Sequence, residues 1–292
     1  MSQDSKIEAI KKQILKSGFP LQMEISSILR KRGYETSNGV YFFDQDEKKA
    51  REFDIEAVLP DDAIFPPEFD IENSWFFHPL VLIECKKSNV YSWIFFRSEP
   101  IGSWFDIGHS IDVLTEELGY LKSACGRVLS NTGFLHYYKD SMIVVSAYQQ
   151  VKLGKRDRNE RNGKDAILDA TSKVTKFMNY RFQNLKTFFK TDSTRRDILF
   201  YFPLIVFDGE LYETSFGKTL KVKETQHVVY ETRYLSSLTK SLVPLYIDIV
   251  RKDALEEILH IIEKEVYHVN EFLRKSTIQK QLSDSLGGQF KA

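Results

Sequence analysis

The run Leu80-Val81-Leu82-Ile83, ended by Glu84-Cys85-Lys86, constrains the fold more than any other stretch. Four apolar residues in a row do not alternate as a half-exposed strand does. They predict a central strand covered on both faces, and hence a sheet with helices on each side. A chain of 292 residues can support such a core without staples, since folding at this size removes about three-quarters of the unfolded surface from water.

The flanking segments extend that frame. Residues 5–17 read as an amphipathic helix with Ile7, Ile10 and Ile14 on one stripe and Gly18 as its stop. Pro20 suits the first turn of a second helix, whose apolar face carries Leu21, Ile25, Ile28 and Leu29 and which stops at Gly33. Tyr34–Phe43 and Arg51–Leu59 read as strands. The second alternates, with Phe53, Ile55, Ala57 and Leu59 on one face and Asp54, Glu56 and Val58 on the other. Residues 60–78, acidic and holding Pro66-Pro67, read as an inserted loop, and 88–108 as an irregular aromatic stretch. Further on, the pattern predicts a short helix over 110–124, a strand over 142–148 and a long helix over 165–189. Strands over 198–207, 210–214, 220–233 and 243–250 and a helix over 253–274 follow. Short loops imply antiparallel pairing of the first three strands. A helical crossover implies a parallel neighbour at 198–207. The fold class is therefore α/β with a mixed central sheet flanked by helices.

Two cysteines, Cys85 and Cys125, make neither a disulfide framework nor a thiolate zinc site. No apolar run approaches the ~20 residues of a membrane span. The first residues lack the apolar core of a signal peptide, so a cytoplasmic protein without a membrane partner is expected. The formal net charge of zero hides an asymmetry: residues 44–84 carry net −9 and residues 151–197 net +7. Solvated loops and helix faces account for this as readily as an acidic metal site beside a basic, phosphate-collecting surface.

Chemistry points to the end of the third strand. Strand alternation sends Glu84 and Lys86 to one face and Cys85 to the other. If the second and third strands pair, Asp54, Glu84 and Lys86 meet at one point. Hard cations such as Mg²⁺ need one or two protein carboxylates and water, which Asp54 and Glu84 would supply. A lysine beside them can orient a water or stabilise charge on a phosphate. Acid-x-Lys occurs at Asp4/Lys6, Asp46/Lys48 and Glu47/Lys49 as well, but only Glu84/Lys86 follows a buried apolar run. A strand end emerging into solvent is the plain structural reading of the pair. His260, Glu263, Glu265 and His268 lack the histidine spacing of a zinc protease, and no Gly-Lys-Ser/Thr phosphate loop occurs. Trp93–Phe96 with Trp104 and Phe105 would either stack bases or plug the core.

The order of Glu24 in MEISSILRKRGY, Asp54 in REFDIEA and Glu84-Cys85-Lys86 in LVLIECKKS resembles the PD-(D/E)xK nuclease superfamily, the restriction-endonuclease-like fold. The match spans residues 19–88, and Arg-Glu-Phe-Asp stands where many members have Pro-Asp. The resemblance implies one nuclease-like domain with a core at about 19–88 and 165–207, an insertion at 89–164, a C-terminal α/β extension at 208–274 and a tail from 275. It implies metal-dependent phosphodiester hydrolysis, usually of DNA, with Mg²⁺ or Mn²⁺ as cofactor. Asp54 and Glu84 are then metal ligands; Cys85 is grouped with them, and whether its backbone carbonyl contributes is left open. Lys86 is the catalytic lysine, and Glu24 is the first-helix acid near the metal. The basic stretch with Lys155, Arg156, Arg158 and Arg161 is the expected phosphate-tracking surface. A catalytically inactive nucleic-acid-binding or assembly module on the same fold is the alternative, and a homo-oligomer is left open.

Overall fold

The computed structural model describes residues 3–60, 75–97, 111–114, 144–152, 165–184, 196–235 and 242–275. Helix α1 (Gln3–Lys16) is followed by α2 (Phe19–Lys31), which carries Pro20 in its first turn. Helix α2 ends where Gly33 takes φ +89°, a left-handed conformation that closes the last turn; there the Tyr34 N–H donates to the Leu29 carbonyl at 3.1 Å. Strands β1 (Glu35–Asp44) and β2 (Lys49–Val58) form a hairpin, and β2 pairs antiparallel with β3 (Trp75–Lys87) from Val58↔Leu80 to Ile55↔Ile83.

Strand β4 (Tyr91–Arg97), β5 (Ile111–Leu114) and β6 (Val144–Lys152) precede helix α3 (Ala166–Gln183). The chain then returns as β7 (Arg196–Asp208), parallel to β3 over its whole length from Trp75↔Arg196 to Lys87↔Asp208. Strands β8 (Leu211–Phe216), β9 (Leu220–Glu224), β10 (His227–Leu235) and β11 (Leu242–Arg251) follow, then helix α4 (Leu255–Leu273). One mixed sheet runs in the order β1-β2-β3-β7-β11-β10-β6-β4-β8-β9, with β5 on β7. The antiparallel start and the parallel return are as the sequence predicts.

Helices cover both sides. Val81 and Ile83 join α2 and α4 in one core, with Leu21, Ile25 and Leu259. Leu80 and Leu82 join α3 in the other, with Val174 and Phe177. The apolar run at 80–83 is therefore buried on both faces. Among the described residues no helix is long and apolar enough to cross a membrane. The stripe on α1 packs little: Ile7, Ile10 and Ile14 are 44%, 58% and 52% exposed.

Several expectations need correction. Residues 75–78 belong to β3, not to a loop, because β7 supplies backbone partners upstream of Leu80. The aromatic stretch contains β4, whose Trp93 and Phe95 are buried at strand spacing. Trp93 stacks on Phe207 at 4.0 Å and 10°, so it is core and not a base platform; Trp104 and Phe105 lie outside the described residues. Ile111–Leu114 is a strand on the edge of β7, not the start of a helix. The strand expected over 220–233 is two, β9 and β10, parted at Thr225 and Gln226.

Strand β2 also breaks its alternation. Ile55 and Ala57 face α2 and α4, but Phe53 stacks on Phe177 of α3 at 4.1 Å and 10°. The turn-over falls at Asp54. On the neighbouring strand Gly39 takes φ +62°, and the pairing passes from Asn38↔Ile55 to Val40↔Phe53. A Cβ at Gly39 would meet the Glu52 carboxylate at 2.9 Å, in a backbone conformation that suits glycine.

Candidate active site

Asp54 sits where the sheet loosens. The β2–β3 pairing stops at Ile55↔Ile83, so the next position opposes Asp54 to Glu84. There the Asp54 carboxylate replaces a backbone partner, its Oδ2 accepting the Cys85 N–H at 2.8 Å. On the other side of the strand, Gln22 of α2 donates from Nε2 to the Asp54 carbonyl at 2.5 Å. Both bonds fix the strand at the residue whose side chain matters.

Helix α3 supplies the rest. Asp165 caps its N-terminus, accepting from the Ile167 and Leu168 N–H groups at 3.1 and 3.0 Å. Gln150 accepts from the Ala166 N–H at 3.2 Å, a structural task at the same helix end. Asp169 and Lys173, one turn apart, share a face of α3. Lys173 Nζ lies 3.3 Å from Asp54 Oδ1, 2.9 Å from Glu84 Oε1 and 2.8 Å from Glu84 Oε2. Lys86 Nζ lies 3.1 Å from Glu84 Oε1 and 2.8 Å from Asp169 Oδ2. Three carboxylates and two ammonium groups thus interlock at the end of β3, and Asp54, Glu84 and Lys86 converge as their strand positions predict.

The electrostatics are set by burial. The Glu84 side chain is 1% exposed. Burial pushes its carboxyl up to about 7, helped by the negative charge of Asp54 and opposed by Lys86 and Lys173. Burial works against the Lys86 ammonium, but Glu84 and Asp169 outweigh it and hold its proton more firmly than usual. The Cys85 thiol is pushed up by burial first and by Asp54 and Glu84 second. That thiol belongs to the core on the α2 side, so only the Cys85 backbone faces the carboxylates.

Two carboxylates suit a hard divalent cation, which takes few protein ligands and keeps its water. Glu84 Oε2 is buried and makes no hydrogen bond, although the Lys173 ammonium stands 2.8 Å away out of line. An oxygen in that condition fits a cation. Among the described residues no group of three or more His, Cys, Asp or Glu side chains is placed to hold a metal ion, here or elsewhere, so an ion at this place would rest on the Asp54–Glu84 pair, backbone and water.

Glu24 is held differently. Its carboxylate is half-exposed and pairs with Lys252, just after β11, at 3.2 Å. Two residues along a helix is about 200°, so Gln22 facing Asp54 turns Glu24 away from it. Lys155, Arg156, Arg158 and Arg161 lie outside the described residues. On helix α3 the cations of the basic segment meet the acidic segment: Lys176 pairs with Asp44 and Glu47 at 2.8 and 2.9 Å, and Arg181 pairs with Glu56. Part of the charge asymmetry is therefore helix α3 neutralising the β1–β2 hairpin.

Sequence reasoning missed Gln22, Asp169 and Lys173. The spacing of Asp169 and Lys173 is visible, but it matches an ordinary surface pair on any helix. Only the docking of α3 over β3 turns it toward the carboxylates. Compared with known proteins, the chain matches no family model, no curated protein and no solved structure.

Proposed function

We propose that the chain is a metal-dependent phosphodiester hydrolase acting on DNA, on a restriction-endonuclease-like core of the PD-(D/E)xK kind. The observation that carries this reading is the convergence of Asp54, Glu84 and Lys86 where the pairing of β2 with β3 stops. Asp54 and Glu84 would hold Mg²⁺ or Mn²⁺, with the Cys85 carbonyl as the candidate backbone ligand. The bound ion would lower the pKa of a water and offset negative charge on the phosphate.

The chain's own groups do the rest. The Cys85 N–H and Gln22 fix Asp54 from both sides, so its carboxylate meets a ligand already oriented. Lys86 keeps its proton at neutral pH and presents it where charge builds on the phosphate oxygens. Asp169 holds the Lys86 ammonium at 2.8 Å and limits its swing.

Replacing Lys86 with Ala tests the reading. Cleavage of DNA in Mg²⁺ falls by about 10²-fold or more, as when a transition-state donor is removed, while DNA binding persists. Lost binding with retained cleavage would give Lys86 a different task. A second reading, an inactive nucleic-acid-binding or assembly module, is favoured by one observation: the Lys173 ammonium already pairs with both carboxylates.

A further inference from the structure

We infer that Lys173 is a built-in competitor for the divalent cation, its ammonium occupying the place between Asp54 and Glu84 that the ion would take. The inference rests on the metal-dependent reading above and names the residue that controls it.

Lys173 Nζ touches Asp54 Oδ1 and both oxygens of Glu84, and its side chain is 17% exposed. Lys86 differs. It reaches Glu84 through Oε1, and Asp169 holds it on the other side. The two lysines therefore divide the work: Lys86 stands beside the carboxylate pair and Lys173 stands within it. A dication placed against Asp54 and Glu84 with Lys173 still there would set like charges within a few ångströms of each other, in a site where Glu84 has lost its water. The ammonium has to leave first. Its four-carbon stem allows this without moving α3, whose Val174 and Phe177 stay in the core. Ion binding then costs the two carboxylate contacts that Lys173 gives up, and removing the ammonium makes the ion bind more tightly. A lysine that only braced the fold would have no such effect on affinity.

The test measures Mn²⁺ binding to the full chain at pH 8.0 from the electron paramagnetic resonance signal of the free ion. Wild type binds and Glu84→Gln does not, which checks the metal reading by itself. Lys173→Met binds about tenfold more tightly than wild type or better. Lys173→Gln, which keeps a polar side chain should methionine fold poorly, shifts in the same direction. Lys173→Arg keeps the charge and binds no better than wild type. Without metal, Lys173→Met melts below wild type, and Mn²⁺ raises its melting temperature by more. Wild-type binding with equal or weaker binding in both neutral variants overturns the role of Lys173 and leaves the metal reading standing. No binding in wild type or in either neutral variant overturns both.

Discussion

Glu84 is the residue on which the account depends, and its environment makes a pH test available. Its carboxyl, ordinarily near 4.5, is pushed up to about 7 by burial and by Asp54. The folded chain therefore binds this proton more tightly than the unfolded chain does. The resulting stabilisation is fully present below about pH 4.5 and is lost as pH rises through about 7. Its size is about 3 kcal/mol. Urea unfolding in chelator from pH 4.5 to 8 checks it: relative to Glu84→Gln, wild type loses about 3 kcal/mol across the window. Parallel profiles would show that Glu84 titrates normally. Glu84 and Lys86 were legible because a charged pair directly after a buried apolar run needs a reason. Asp54 was legible only as a neighbour of that run, and its N–H bond from Cys85 was not. Lys173 was hidden because its partners are 89 and 119 residues away in sequence.

At the scale of elements, helix α3 clamps the β1–β2 hairpin with charge as well as with rings. Phe177 stacks on Phe53, and the Arg181–Glu56 pair lies buried beside it. Burial pushes the Arg181 guanidinium down to about 10, which marks how far it is removed from water. A buried pair costs most when it is broken and little when it is replaced whole. Glu56→Leu alone is expected to lose about 3–5 kcal/mol in urea unfolding. Adding Arg181→Met recovers most of that loss; a double variant as unstable as the single one would place the cost in packing and not in the stranded charge. The helices and β1–β3 could be read from periodicity and from Gly33 and Pro20. Strand β5 could not, because four residues carry no period, and their state was decided by the free edge of β7. The turn-over of β2 at Asp54 was equally invisible, since it depends on Gly39 across the hairpin.

Over the whole molecule, the sheet absorbs segments that the sequence assigns to an insertion and an extension. Strand β11 lies against β7, and β4 and β6 join the same sheet through β10 and β8. Fold class was legible because LVLI demanded two covered faces and a crossover demanded a parallel return. Strand order beyond β7 was not, because pairing between distant segments leaves no local signature. The carboxylates stand at the C-terminal end of β3, with parallel β7 running beside it, so one end of β3 holds the candidate site while helices cover both faces of that strand. The most direct test is incubation of the full chain with supercoiled DNA and Mg²⁺. The account predicts nicking or linearisation that chelator stops and that Glu84→Gln slows by about 10²-fold or more. DNA left intact in both Mg²⁺ and Mn²⁺, or cut by Glu84→Gln at the wild-type rate, would contradict it.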